Sequence, residues 1–256
     1  MIKTAPLKRI LILVYKIFFT FINKIRIILH LDRTKMKDFW KERGKHTELL
    51  GVQIDGYEKR YEELKDIIEE LKGDVKNHFR EKLFPGARIL DFGCGTGRYI
   101  SLFYEVKNIN IIDVDISESI LNNFTRKNFP KVNFYCIDFE RDKNFLKEYE
   151  NTLDGIYSVS VIQYIRYKKL PLLIKIFYRM LKNQGILYLH FPHPNSRWDV
   201  MSGLNYIRYY PETVEKYLKR IGFKIKESYS FHHNRYIKKV DNSGLPNFGY
   251  VIVAEK

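Results

Sequence analysis

Residues 91–97, Asp-Phe-Gly-Cys-Gly-Thr-Gly, place a carboxylate ahead of glycines at three alternate positions. Glycines in such a turn let the backbone approach a ligand without side-chain obstruction. A pyrophosphate-binding turn would read G-x-G-x-x-G, and its third glycine is missing here. A carboxylate at contact distance would also repel a phosphate, so Asp91 suits a cationic ligand better. Two histidine pairs form a second set of reactive groups: His190 and His193 in HFPHP, and His232 and His233 in FHHNR. An imidazole there can remove a proton from a hydroxyl. Their spacing matches no metal-binding pattern, and no metal is expected.

These residues need strands and helices to hold them. Ile89 to Phe103 reads as a buried strand, a glycine turn and a helix, and further strands are expected within 108–115, 132–139, 153–165 (a strand and its following turn), 181–191 (a helix end and a strand), 222–230 and 249–255. Alternation of strands with amphipathic helices makes the chain α/β. Asp115 closes the second strand, where its two oxygens are placed to accept from both hydroxyls of a ribose. Ser117 is expected to cap the next helix.

The D-x-G-C-G-T-G string, with Asp115 and Asp138 following in order, resembles the class I S-adenosylmethionine-dependent methyltransferases over about residues 57–256. The resemblance implies a Rossmann-like, mostly parallel seven-stranded sheet with an antiparallel last strand and helices on both faces, preceded here by an N-terminal helical extension. It implies S-adenosyl-L-methionine as cofactor. Asp91 would lie near its amino group, and Gly93, Cys94, Gly95 and Gly97 would pack against its methionine part and ribose. Asp115 and Ile116 would hold the ribose, Asp138 the adenine amino group, Phe139 would flank the ring, and Ser160 would complete the site. Gln163 and Tyr164 would face the reaction centre.

Methyl transfer from a sulfonium is an in-line displacement, so the protein's task is chiefly positioning. His190 or His193 is the expected general base, with Tyr164, Arg197 and Trp40 positioning the acceptor. The fourth strand ends in Ser158-Val159-Ser160-Val161, not in the Pro-Pro-aromatic loop that grips a flipped base, so nucleic acid is not the expected partner.

The net charge is +15, and residues 1–50 hold twelve Lys or Arg against four Asp or Glu. Over half of the excess therefore lies in the first fifth of the chain. Residues 7–31 are apolar but interrupted by Lys16, Lys24 and Arg26, which argues against a membrane span. On a helical wheel their polar groups gather on one half, leaving a Leu, Ile, Val and Phe face suited to a membrane surface. The chain divides into a basic amphipathic helix (1–33), a helical lid and lead-in (34–84) and a catalytic core (85–256). Glu58–Lys72 and Asp74–Leu83 read as two helices of that lead-in.

Cys94 and Cys136, the two cysteines present, form no disulfide framework and suit a cytoplasmic setting, peripheral to the inner face of a membrane. The expected activity is O-methylation of a lipid, quinone precursor or lipid-linked glycan. The alternatives are a soluble small-metabolite or RNA methyltransferase, and a cofactor-binding module without catalysis.

Overall fold

Short strands of three to eleven residues, the central ones rich in Ile, Leu and Val, build the sheet that organises this chain. The computed structural model describes residues 33–45, 61–142, 144–145, 147–192, 209–232, 235–237 and 247–256. Helix α1 (Arg33–Arg43) and helix α2 (Tyr61–Phe79) precede the strands. There follow β1 (Arg88–Phe92), a short α3 (Ser101–Tyr104) and β2 (Asn110–Asp115). Next, α4 (Glu118–Ile120) passes through a π turn (Leu121–Thr125) into α5 (Arg126–Asn128), ahead of β3 (Asn133–Cys136). Strand β4 (Leu153–Val159), α6 (Leu170–Met180), β5 (Leu181–Phe191), α7 (Pro211–Ile221), β6 (Lys224–His232), β7 (Arg235–Ile237) and β8 (Asn247–Glu255) complete the order.

The strands form one sheet in the order β3-β2-β1-β4-β5-β8-β6-β7. Strands β1 to β5 are mutually parallel, and β8 runs antiparallel between β5 and β6. This is the Rossmann-like arrangement expected, with one addition. The short β7 pairs with the outer edge of β6 and makes an eighth strand.

Because side chains alternate along a strand, each strand feeds two cores. Leu90, Phe92, Ile112, Ile156, Leu187 and Leu189 meet Leu173, Ile174 and Phe177 of α6 and Val214 and Leu218 of α7. On the other face, Ile89, Ile111, Tyr157 and Tyr188 meet Ile67, Leu71, Val75 and Phe79 of α2. Each fully buried Leu, Ile or Phe contributes about 1.5–3 kcal/mol.

Two expectations about the lead-in and third strand are corrected. The pair of helices expected at 58–72 and 74–83 is a single helix, α2, followed by a 3-10 turn (Arg80–Lys82). Gly73 lies inside α2 at a helix-propensity cost of about 1 kcal/mol. The helix continues because Asp74 and Val75, directly after the glycine, are buried against the sheet. Strand β3 covers four residues instead of eight, since Asp138 already starts the next turn by accepting from the Arg141 and Asp142 amides.

No described helix is long and apolar enough to cross a membrane. Residues 7–31, on which the membrane-surface reading rests, lie outside the described residues.

Candidate active site

The carboxyl ends of β1, β2, β4 and β5 meet at the glycine turn, as expected for a parallel sheet that binds ligands at that edge. The amides of Gly93 and Cys94 both donate to Val114 O, at 2.7 and 3.1 Å, so they bind the turn to β2. The three glycines then differ. A Cβ on Gly93 would lie 2.3 Å from Val161 Cγ2, and one on Gly97 would lie 2.7 Å from Phe129 Cε2. Those two glycines serve close packing inside the protein. Gly95 has φ +55° and nothing within 4 Å of its would-be Cβ, so it faces open space.

Asp115 fastens this turn from the neighbouring strand. Its Oδ2 accepts from Gly95 N and its Oδ1 from Ser117 N, both at 2.9 Å. Burial pushes its carboxyl above the usual range, while these amides oppose the shift. Ser117 caps the following helix as expected, accepting from Ile120 N at 3.4 Å. Ile116 stands beside it, with its carbonyl near Cys136 Sγ at 3.6 Å.

Beneath the turn lies a polar cluster that sequence reasoning missed. Asp91 and Asp113 are register partners on β1 and β2, 3% and 0% exposed. Asp91 Oδ2 and both oxygens of Asp113 are buried without a hydrogen bond. Burial raises both carboxyls well above the ordinary range. The Tyr157 hydroxyl opposes the rise of Asp91, charge on Asp115 adds to it, and charge on Asp91 adds to that of Asp113. Tyr157 stands next to Asp91 in register, and its buried hydroxyl makes no hydrogen bond of good geometry. Cys94 is buried here too, its thiol pushed up by burial and by the three carboxylates, which leaves it inert as a nucleophile.

Two other expected residues are engaged by neighbours inside the protein. Phe139 is packed into the core edge-on to Phe92, with ring centroids 6.0 Å apart, so its ring is not a free wall beside the site. Asp138 forms an Asx turn through Glu140 N (3.1 Å) and pairs with Arg141 Nε at 3.5 Å.

His190 also departs from its expected place on a rim loop. It lies within β5, between Val159 and Val251 in register, and is 3% exposed. Strand β5 continues to Phe191 because β8 pairs with it that far, and this carries the imidazole indoors. Its Nδ1 lies 3.2 Å from Ser160 Oγ, while its Nε2 occupies the space a Cβ on Gly249 would need. Ser160 is exposed, at the end of β4, and adopts φ +57°, a left-handed conformation that is costly for serine. Ser160 N donates to His190 O, and Gln163 Nε2 donates to Ser160 O at 2.7 Å. Gln163 is thus a buried brace for this bend and does not face the reaction centre. His193 and Arg197 lie outside the described residues, as does His233.

On the opposite side of the turn, α1 is held by donors from the segment after β2. Ser117 Oγ donates to Trp40 O (3.0 Å), Ser119 Oγ to Lys41 O (2.9 Å) and Asn123 Nδ2 to Gly44 O (2.7 Å). Those on Lys41 O and Gly44 O reach carbonyls past the last helical hydrogen bond, while Trp40 O accepts from Ser117 in addition to the Gly44 amide. Trp40 then meets Tyr164 edge-on, with centroids 5.2 Å apart, and packs against Ile120 and Phe124. Two of the three residues expected to position an acceptor are therefore brought together, and the third, Arg197, lies outside the described residues.

Residues 89–185 match the family profile described as a methyltransferase domain. These residues are a methyltransferase domain by that match, and the sheet around them has the Rossmann-like methyltransferase fold. Among curated proteins, phosphoethanolamine N-methyltransferase 3 of Arabidopsis thaliana is 33% identical over 105 residues, covering 40% of this chain and 20% of the plant protein. The matched segment thus spans about a fifth of that relative's length. A SAM-dependent methyltransferase from Archaeoglobus fulgidus superposes with a TM-score of 0.56 at 21% identity, covering 72% of this chain and 94% of the other. The [4+2]-cyclase SpnF does so with a TM-score of 0.54 at 18% identity, covering 72% and 80%. A shared methyltransferase fold is therefore compatible with more than one named chemistry.

Proposed function

We propose that this chain transfers a methyl group from S-adenosylmethionine to a small-molecule acceptor, with an amine nitrogen as the first candidate. The observation that carries the cofactor assignment is the cradle itself. Gly95 opens onto free space, Asp115 fixes it from behind, and the unpartnered Asp91 Oδ2 lies beneath. A buried oxygen without a partner costs about 1–3 kcal/mol, and a cationic ligand offsets that cost. The bound cofactor supplies an electrophilic methyl carbon on a positively charged sulfur.

Proton removal is assigned to Ser160 and His190 acting together. The imidazole is too buried to touch an acceptor, but Ser160 Oγ is exposed and within hydrogen-bond reach of Nδ1. Ser160 Oγ takes the acceptor's proton while its own passes to Nδ1, and the freed lone pair forms the new bond to carbon as the carbon–sulfur bond breaks. Trp40 and Tyr164 border the acceptor, and α1 acts as a lid. The amine assignment draws on the names of the plant relatives, and the proton relay serves an amine or a hydroxyl alike.

A second reading is favoured by the basic and apolar pattern of residues 7–31. It is O-methylation of a lipid, quinone precursor or lipid-linked glycan by an enzyme peripheral to a membrane. One assay separates the two. Purified protein and radiolabelled cofactor are incubated with phosphoethanolamine, and separately with a cell extract fractionated into lipid, glycan, RNA and small molecules. Label on phosphoethanolamine or another small amine supports the first reading, and label in lipid or glycan replaces it with the second. Labelled RNA, or no labelled fraction at all, would overturn both.

A further inference from the structure

Asp113 has no task in the mechanism above, yet it is the most completely buried carboxylate described, at 0% exposure with neither oxygen bonded. Its register partner Asp91 carries a third oxygen without a hydrogen bond of good geometry, and Tyr157, from a different strand, turns a buried hydroxyl toward it that makes none either. Such a site is expensive to maintain unless something uses it. The groups facing the pair are Asp115 from β2, Cys94 from the turn, and Tyr157 from β4. Phe134 of β3 flanks Asp113 in register, while Tyr99 and Phe103 pack on the Tyr157 ring. Among the described residues, no lysine, arginine or histidine acts on either carboxyl.

Two neighbouring carboxylates in a dry, cation-free setting do not both ionise at ordinary pH. Adding a fixed positive charge beside Asp91 changes that balance, because the pair then carries charge at lower cost. We infer that Asp91 and Asp113 share one proton while the cofactor site is empty and release it to solvent when the cofactor's ammonium is set against Asp91. Asp113 is then a positioning residue that acts through Asp91, and cofactor affinity rises with pH. This inference rests on the cofactor assignment made above.

The test is calorimetric titration of S-adenosylhomocysteine into the full chain at about pH 6.5, where a ligand α-ammonium of ordinary value near 8 stays charged. Phosphate and Tris buffers are compared, since their ionisation enthalpies differ. Wild-type protein should show a buffer-dependent enthalpy reporting release of about 0.5–1 proton per ligand bound. Asp113→Asn should still bind, with that release at least halved. Dissociation constants should fall with pH by up to about tenfold per unit in the wild type and stay nearly flat in the variant. Asp113→Val provides a second variant if the asparagine chain does not fold, and the wild-type buffer dependence stands without either. Binding without proton release, or equal release by the variant, overturns this inference alone. Failure of the wild-type protein to bind S-adenosylhomocysteine at all overturns the cofactor assignment and this inference with it.

Discussion

One face of the sheet holds two buried acidic clusters that are opposites in every respect except burial. Asp74, on α2, is 4% exposed and accepts from Tyr188 Oη and Tyr229 Oη, each at 2.7 Å, with His78 Nε2 3.5 Å away. Burial alone would push its carboxyl up, but hydrogen bonds from His78, Tyr188 and Tyr229 together hold it below the ordinary range. Asp91 and Asp113 are equally buried, make no such hydrogen bonds of good geometry, and are pushed the other way, the Tyr157 hydroxyl only partly opposing the rise of Asp91. A carboxylate with its donors built in fastens α2 to the sheet. One left without them is kept for something that arrives.

The contrast is sharpest in stability. Asp74→Ala would remove the carboxylate to which two buried tyrosine hydroxyls donate, leaving that of Tyr188 without this acceptor and that of Tyr229 with His78 Nε2 at 3.0 Å. We expect it to lower the unfolding free energy by about 2–4 kcal/mol in urea titrations. A loss under about 1 kcal/mol would show that the cluster does not clamp the helix. Asp113→Val should do the reverse and stabilise the ligand-free protein by about 1–2 kcal/mol near neutral pH.

The sign with pH follows from linkage. A carboxyl raised in the native state keeps a proton that the unfolded chain has already lost. Wild-type stability therefore falls as pH climbs from about 4 toward the raised native value, and the advantage of valine should grow over that window. Thermal melts of both chains between pH 4 and 7 measure it, and an advantage that shrank with pH would contradict the assignment.

A matched pair of tyrosines carries the same comparison at smaller scale. Tyr188→Phe removes a hydroxyl that donates to Asp74 and should cost about 1 kcal/mol. Tyr157→Phe removes a hydroxyl that faces Asp91 without a hydrogen bond of good geometry and should change stability by less than about 0.5 kcal/mol. Equal losses would erase the distinction.

The smallest effect belongs to His78. Burial lowers its affinity for a proton, but Asp74, by hydrogen bond and by charge, together with Glu227, raises it overall. The stability it contributes is complete below the unfolded value of about 6.5 and is lost as pH rises through the higher native value. His78→Gln should therefore be weaker than the wild type at about pH 6 and indistinguishable from it well above that window.

The fold and the cofactor edge were legible because they rest on order along the chain. A strand, a glycine turn, and then Asp115 follow at fixed intervals, and the pairing of β1 with β2 keeps them together. What was misread depends on which face a strand residue takes. In Leu187-Tyr188-Leu189-His190-Phe191, alternation already places His190 on the face of Tyr188, and the pattern could have shown it to be internal. Asp113 is likewise two residues before Asp115 and so shares its face, a signal that was present and unused. The clamp on α1 had no such signal. Its three side-chain donors lie 77 to 79 residues from the carbonyls they satisfy, a distance that no local spacing records.

Ser117 joins two of these structures in one residue. Its amide is bonded to Asp115, and its hydroxyl to the carbonyl of Trp40. A displacement of Asp115 by a fraction of an ångström therefore passes to an indole ring through two hydrogen bonds. The chain contains two tryptophans, Trp40 and Trp198. With Trp198 replaced by phenylalanine, the emission of Trp40 becomes a built-in optical gauge of occupancy, reading the state of the glycine turn without any added label.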